Sequence, residues 1–316
     1  MTVPRQDESD AGPAWWVLVG PTASGKSAVA LELAARHPVE IVSVDSMQVY
    51  VGMDIGTAKP APEERASVPH HMVDVLDPGQ PCNVARFCAM AAEAAAGIVA
   101  RGGRPLVVGG SPLYLKGLLW GLMDAPGRSP ALRRRLTREC ERLGPGPLHE
   151  RLAMLDPQTA EQIHPNDVQR LVRALEVCEL TGEPLSGRGG QFAGKPVVRH
   201  VMVGLRRPRE ELYRRIDRRV ERMMERGLLR EVAALRERLG PQSRQALGYK
   251  ELVAHLEGGV TLAEAVELIK RRTRRYAKHQ LTWFRHFPQV RWVDARAGTE
   301  PRDLAETCLG LFPGPA

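Results

Sequence analysis

The feature that most constrains this chain is WWVLVGPTASGKSAVALELAARH at residues 15–37. Five apolar residues run into GPTASGKS, which fits the spacing GxxxxGK[ST], and a helix-forming run follows. A strand, a glycine-bounded turn and a helix in that order belong to a parallel sheet with helices on its faces. Gly20 and Gly25 let the backbone curl so that successive N–H groups face inward, and Lys26 adds a cation. Ser27 offers a hydroxyl to a magnesium ion bridging phosphate oxygens. Pro21, Thr22, Ala23 and Ser24 complete the loop. Such a loop binds a polyphosphate. It does not by itself imply ATP hydrolysis, because the same donors hold a diphosphate that is leaving an organic group.

The rest of the N-terminal part continues the alternation. VEIVSVD and RPLVVGGS read as further strands, with an Ala-rich helix around residues 84–100 before the latter. Near Trp120 the pattern changes to helical pieces punctuated by Pro and Gly, in DAPGRSP, GPGPLHE and LDPQTAEQIHPND, until the Gly-rich SGRGGQFAGKP. VVRHVMVGL then returns to strand, followed by long helices, the last over roughly 262–287, a strand-like VRWV and a helix near 303–311. The reading is an α/β fold: a P-loop NTPase-like parallel sheet flanked by helices, with an all-helical insertion domain. Its boundaries are a flexible N-terminus at 1–13, a catalytic body of 14–120 and 197–312, and an insertion at 121–196. An excursion of this kind commonly overhangs the C-terminal ends of the strands, where α/β proteins bind ligands.

Charge becomes informative once it is resolved by position. The 316 residues carry 45 Lys plus Arg and 37 Asp plus Glu. Residues 199–278 hold 18 Arg and 3 Lys against 11 acidic residues, so the whole net charge of +8 lies in the C-terminal third. Much of it stands on RREELYRRIDRRVERMMERG, where Leu212, Ile216, Val220 and Met223 recur at helical spacing and arginines fill the other faces. A second basic cluster comprises Arg128, Arg133, Arg134, Arg135, Arg138 and Arg142. Either can be a solvated face or a nucleic-acid contact. No apolar run reaches the ~18 residues of a spanning helix, and the first fifteen residues lack a basic start followed by an apolar stretch, so a cytoplasmic protein with no membrane partner is expected. Five scattered cysteines without a CxxC pair argue against a disulfide framework or a cysteine-built metal site. No apolar heptad is evident, and a monomer is expected.

Other residues carry chemistry in context. Asp45 stands where the apolar run of the second strand stops, close to the phosphate loop if the two strands are neighbours. Magnesium ligand through water, general base, and turn cap with Ser46 remain open for it. Gln48 can read a base edge or lie on the surface. Asp54, Thr57 and Lys59 lie in a polar connection resembling a ligand-facing loop. Ser111 begins a helix after a Gly pair, where its hydroxyl caps the helix or touches ligand. HPNDVQRLVRALEV places Gln169, Arg170 and Arg173 over about one turn, and SRQALGYKEL sets Arg244, Gln245, Tyr249 and Lys250 around Gly248 in a polar break. His70 and His71 read as a loop with no third ligand, and His279 and His286 make no better metal site.

GPTASGKS, SVDSMQVYVGMDIGTAKP, LVVGGSPLYLKGLLWG, IHPNDVQRLVRALEV and QALGYKEL resemble, in this order, motifs of the bacterial tRNA dimethylallyltransferases, also called tRNA isopentenyltransferases. The resemblance spans roughly residues 14–293. It implies transfer of a dimethylallyl group from dimethylallyl diphosphate to N6 of adenosine 37 in tRNAs that read codons beginning with U, with Mg2+ as cofactor. Gly20 through Ser27 would hold the diphosphate with Lys26 stabilising its charge, Thr22 would contact the donor, and Asp45 would deprotonate the amine. Ser111 aligns with a threonine of the family that approaches the reacting centre, a departure that keeps the hydroxyl and loses a methyl. Contacts to the tRNA anticodon stem-loop would fall on Asp45, Ser46, Met47, Gln48, Ser111, Arg133, Gln169, Arg170, Leu171, Val172, Arg173, Arg244 and Lys250. Two other readings of the phosphate loop exist. A small-molecule or nucleotide kinase would turn over nucleoside triphosphate and would not need the basic helices. A regulatory RNA-binding NTPase would carry a hydrolysis apparatus, and no further acidic residue follows Asp45 in VSVDS.

Overall fold

The computed structural model describes residues 14–122, 127, 129–188 and 194–313. The expected flexible N-terminus at 1–13, Arg128 and part of the Gly-rich stretch lie outside the described residues. The chain divides into two compact units, one of residues 1–120 with 196–316 and one of 121–195.

The larger unit is built on six parallel strands: β1 (Trp15–Val19), β2 (Val39–Val44), β3 (His70–His71), β4 (Arg104–Gly109), β5 (His200–Arg206) and β6 (Arg291–Asp294). Their order is β3-β2-β4-β1-β5-β6. β1 is buried along its whole length, as expected of a central strand covered on both faces. The helices of this unit are α1 (Lys26–Ala34), α2 (Pro62–Ser67), α3 (Val84–Ala100) and α4 (Pro112–Trp120) before the insertion. The smaller unit is helical throughout its regular structure, with α5 (Pro130–Leu143), α6 (Gly146–Leu155), α7 (Pro157–Gln162) and α8 (Val168–Thr181). After it come α9 (Arg209–Glu225), α10 (Leu228–Leu235), α11 (Tyr249–Leu256), α12 (Leu262–Phe284) and α13 (Pro301–Leu309). Among the described residues no helix is long and apolar enough to cross a membrane.

The sheet has two findings the sequence did not give. His70 and His71, read as loop, pair with Ile41 and Val42 to make the short edge strand β3. β1 and β2 are not neighbours, because β4 lies between them. The register aligns Val19 with Gly109 and Gly109 with Val44, so the ends of β1, β4 and β2 finish level. Successive strands are added outward through β2 and β3 on one side and through β5 and β6 on the other, so the strand order reverses at this trio, the switch point at which parallel α/β sheets open a crevice.

One face of the sheet packs Trp16, Leu18, Leu106 and Leu205 against Leu33 of α1, Leu304 of α13 and Phe312. Trp16 stacks on Phe312 with centroids 4.7 Å apart. α12, the longest helix, starts with a reciprocal cap in which the Thr261 side chain accepts from the Glu264 N–H and Glu264 accepts from the Thr261 N–H. It is joined to α9 by Arg274, whose guanidinium donates to both oxygens of Asp217 at 2.8 Å, and by Lys270 to Glu221 at 2.9 Å.

The insertion has its own core of Leu136, Leu148, Leu152, Leu171, Leu175 and neighbours. The fully buried carboxylate of Glu176 sits beside it. Glu176 accepts from Arg133 Nε and Nη2 at 2.9 and 2.8 Å, from Arg173 Nη1 at 2.6 Å and from the Ser129 N–H at 2.8 Å. Burial pushes this carboxyl up, but the hydrogen bonds from Arg133 and Arg173 outweigh it and hold the pKa at about 2. A folded-state pKa below the unfolded value stabilises above the unfolded value, and that contribution is lost as pH falls through the folded one. For Glu176 the window is therefore from about 4.5 down to about 2. The Glu176→Gln protein should unfold more easily than the wild type at pH 7, by on the order of 2–3 kcal/mol, with the gap closing as pH falls toward 2. Chemical denaturation at pH 7 and pH 3 checks this. A gap independent of pH would mean that packing, and not the ionised carboxylate, matters there.

Candidate active site

The phosphate loop connects β1 to α1. Gly20 has φ +147°, and a Cβ there would lie 2.6 Å from the Leu205 carbonyl oxygen, so only glycine lets the loop leave β1 beside β5. Its carbonyls are held by two arginines that follow β5 in the chain. Arg207 Nε donates to the Ser24 carbonyl at 2.8 Å, and Arg215 Nε donates to the Ala23 carbonyl at 2.9 Å. Arg207 is itself buried against Glu211 at 2.6 Å. The Thr22 N–H donates to Gln280 Oε1 at 2.8 Å, while Gln280 Nε2 donates to the Gly110 carbonyl at 2.5 Å. One buried amide from α12 thus ties the phosphate loop to the loop leaving β4.

These elements enclose a cavity of about 680 Å3. Thr22, Ala23, Gly25, Lys26 and Ser27 line it from the phosphate loop, Gly109 and Gly110 from the end of β4, and Asp45 and Gln48 from the end of β2. Asp45 shares the cavity with the phosphate loop although a strand intervenes, because that strand ends in two residues without side chains. Gly20, Pro21 and Ser24 are buried behind the lining. Lys26 Nζ donates to the carbonyls of Gly20 and Pro21, each at 2.8 Å. Burial, reinforced by the Arg219 charge and opposed by Asp45, lowers its pKa to about 7.

Asp45 is fixed on one side only. Its Oδ1 accepts from the N–H of Met47 at 2.8 Å and of Gln48 at 3.4 Å, a turn that pins the carboxyl at the strand end. Oδ2 has no hydrogen-bond partner among the described residues. Opposite stands a wall that sequence reading did not isolate. Arg215, Arg218, Arg219 and Arg222 line the cavity from α9, and none forms an ion pair among the described residues. Their spacing of three, four and seven is one helical stripe, complementary to the buried Leu212, Ile216, Val220 and Met223. That spacing was the available signal. Burial lowers the Arg219 pKa, with Asp45 pulling the other way, so Asp45 lies within electrostatic reach of both Lys26 and Arg219.

Tyr276 and Gln280, one turn apart on α12, close the cavity. Ser111 is 6% exposed at the start of α4, within hydrogen-bonding range of the Tyr276 hydroxyl. Burial and the Asp45 charge push that hydroxyl up to about 12. Neither Tyr276 nor Gln280 announced itself in the sequence, since each interrupts an otherwise basic helix without forming a motif.

Several candidates take other places. The Gln48 amide is engaged inside the protein: its oxygen accepts from Ser43 Oγ at 2.8 Å, and its nitrogen donates to the carbonyls of Thr57 and Ala58 at 3.2 Å. Thr57 lines the cavity but its hydroxyl bonds the Met53 carbonyl at 2.5 Å. Lys59 is buried, bound to the Tyr50 carbonyl, to Asp54 at 2.7 Å and to Asp74, so it anchors the loop and does not face a ligand. Ser46 and Met47 are half-buried outside the cavity lining. In the insertion, Leu171 and Val172 lie in the core, because their helix turns them inward while it presents Gln169 and Arg170 outward. That is a correction to their expected contact with RNA. Arg133 and Arg173 are held by Glu176, and Arg170 pairs loosely with Asp167 at 3.4 Å. In the larger unit, Arg244 pairs with Glu257, and Lys250 is exposed.

A magnesium ion fits this donor set. The lining offers the hard oxygens of the exposed Ser27 hydroxyl and the Asp45 carboxylate, and among the described residues no group of three or more His, Cys, Asp or Glu could hold a metal. Such a set suits an ion that arrives with phosphate oxygens and keeps several waters.

Comparison with known proteins agrees with the geometry. The IPP transferase family model matches residues 48–287, and the isopentenyl transferase model matches 13–73. The chain is 50% identical to tRNA dimethylallyltransferase 1 of Pelobacter propionicus over 283 residues, covering 88% of this chain and 91% of that protein. It is 45% identical to the tRNA dimethylallyltransferase of Desulforudis audaxviator over 98% of each. Among solved structures, the full-length tRNA isopentenylpyrophosphate transferase of Bacillus halodurans superposes with a TM-score of 0.69 at 40% identity, covering 94% of this chain and 95% of that one. A eukaryotic dimethylallyltransferase acting on tRNA gives 0.77 at 30% identity, covering 90% of this chain and 74% of that one. With its phosphate loop, aspartate and arginine wall in one cavity, the chain belongs to the IPP transferase family, the family of the tRNA dimethylallyltransferases.

Proposed function

We propose that this protein transfers a dimethylallyl group from dimethylallyl diphosphate to N6 of adenosine 37 in tRNAs reading codons that begin with U, releasing diphosphate. The observation that carries the reading is the level ending of β1, β4 and β2, which sets Asp45 and the phosphate loop in one cavity across the bare Gly109–Gly110 end. A kinase needs no four-arginine wall facing a carboxylate at the end of β2. A prenyl transfer uses both.

The exocyclic amine of adenine is a weak nucleophile, so the C1–O bond of the donor must be largely broken before N6 attacks. Its electron pair goes to the diphosphate, the N6–C1 bond forms, and N6 sheds a proton. Lys26 and the Arg215–Arg222 stripe stabilise the negative charge that grows on the leaving group. Oδ2 of Asp45 is the acceptor for the N6 proton, whose acidity rises as nitrogen acquires positive charge. When bound, Mg2+ would be held by Ser27 and, through water, by Asp45, and would supply further neutralisation of the diphosphate. Tyr276, in the cavity lining and supported by the Ser111 hydroxyl, orients the acceptor and keeps water from the allylic carbon. The base reaches this site by leaving its stack, which costs less in an anticodon loop than in a duplex. The basic residues of α5, α8 and the 244–250 segment serve as contacts to the RNA backbone. The protein works as a monomer in the cytoplasm.

The test is incubation with Mg2+, dimethylallyl diphosphate and an unmodified anticodon stem-loop carrying adenosine at 37. The expected result is one dimethylallyl mass increment on that base. No product, together with turnover of ATP against a small acceptor, overturns the reading. Asp45→Asn should lower kcat by about 10²–10⁴ while the Kd for the stem-loop changes by less than about threefold. Parallel losses in both would make Asp45 a binding group.

Lys26 supplies a pH dependence. With a pKa of about 7 in the free protein it is largely neutral above that pH, and an arriving diphosphate raises the pKa again. Binding above pH 7 therefore takes up a proton, and affinity falls as pH rises. Calorimetry of inorganic diphosphate at pH 8 in buffers of different ionisation enthalpy should show uptake of up to one proton, absent in Lys26→Arg. Equal apparent enthalpies in all buffers would show that Lys26 is already charged.

A further inference from the structure

The connection that follows Asp45 is held by a carboxylate from a distant part of the chain. Glu231, in the first turn of α10, accepts from three consecutive backbone N–H groups: Oε2 from Asp54 at 3.0 Å and Ile55 at 2.7 Å, and Oε1 from Gly56 at 3.1 Å. Its fourth bond, also to Oε1, comes from the hydroxyl of the fully buried Tyr249 at 2.5 Å. All these donors point at one side chain, so the loop presents a concave row of N–H groups with Glu231 seated in it. The Tyr249 ring presses on the same loop. A Cβ on Gly56 would stand 2.4 Å from Tyr249 Cε2, so only glycine admits the ring.

This anchor leads directly to the proposed base. One and two residues past the anchored N–H groups, the carbonyls of Thr57 and Ala58 receive the Gln48 amide, whose oxygen is held by Ser43. The N–H groups of Met47 and Gln48 fix Asp45 Oδ1. Lys59 ties the loop to Tyr50, Asp54 and Asp74, all within the same stretch, so it does not set where that stretch lies relative to the C-terminal helices. Glu231 does. Tyr249 stands between the exposed Lys250 and the polar break bearing Arg244, and α11 is moored to α12 by Arg272 to the buried Glu251 at 2.6 Å.

We propose that Glu231, with Tyr249, is a positioning residue for the transfer reaction: it fixes the 54–58 loop through its backbone N–H groups, and through Gln48 it holds Asp45 in line with the acceptor nitrogen. The inference rests on the reading of Asp45 as the base. Displacements near 1 Å at a reacting group cost about 10²-fold in rate, so loosening this anchor lowers kcat without touching the groups that grip diphosphate.

The experiment compares wild type, Glu231→Gln and Tyr249→Phe, all as the full chain. Gln keeps one acceptor atom of two, and Phe removes only the hydroxyl, so the second variant keeps the ring packed if the first unfolds. Expected are a kcat loss of about 10–100-fold for Glu231→Gln and about 3–10-fold for Tyr249→Phe. The Kd for inorganic diphosphate should stay within about twofold, and amide exchange at residues 54–56 should accelerate in both. Unchanged kcat in either folded variant overturns the proposal, and so does a kcat loss matched by loss of diphosphate binding, which marks general destabilisation. Absence of product from the wild type contradicts the functional reading itself, a result distinct from active wild type with indifferent variants.

Discussion

The site depends on one side-chain amide. Gln280 accepts the Thr22 N–H with its oxygen and donates to the Gly110 carbonyl with its nitrogen, joining the two loops that leave the central strands β1 and β4. It is 3% exposed, so both bonds form where water cannot replace them and losing either would leave a buried polar group unpaired. The consequence is mechanical. A phosphate loop held by Gln280 through its Thr22 N–H and by Arg207 and Arg215 through its Ser24 and Ala23 carbonyls is shaped before any ligand arrives, which lowers the reorganisation needed to bind a polyphosphate.

That clamp also explains the placing of charge. α12 carries Gln280 and Tyr276 to the cavity, and its Arg274 and Lys270 are joined to Asp217 and Glu221 of α9. With those cations paired, α9 turns toward the phosphate loop a stripe of arginines that form no ion pair among the described residues. The C-terminal excess of positive charge is therefore divided between helix-to-helix ion pairs and a cavity wall. Asp45 enters this field with one oxygen used by its own turn and the other without a hydrogen-bond partner among the described residues.

The fold class was legible because its signals are local. An apolar strand, a glycine-bounded turn and a helix start are read within twenty residues, and the strands around Val42, Val107, Val203 and Trp292 stand where alternation placed them. What pattern did not reveal was order across the sheet. Nothing local in VEIVSVD tells that β4 lies between β2 and β1, and Asp45 meets the phosphate loop because Gly109 and Gly110 leave the intervening end bare. Residues that act through distant partners were equally silent. Gln280 bonds Thr22 across 258 positions and Glu231 reaches Asp54 across 177. Leu171 and Val172 show the converse: in the run 169–173 helix geometry turns the apolar side chains into the core and leaves Gln169 and Arg170 facing out.

The most direct measurement of the central claim is a crystal structure of the protein with an unreactive thio analogue of dimethylallyl diphosphate and an anticodon stem-loop containing adenosine 37. The account requires the diphosphate to lie within hydrogen-bonding distance of Lys26 and Arg219, with N6 of the extruded adenine within reach of Asp45 Oδ2. An adenine seated away from Asp45, or a diphosphate bound outside the cavity between the phosphate loop and the arginine stripe of α9, would contradict it.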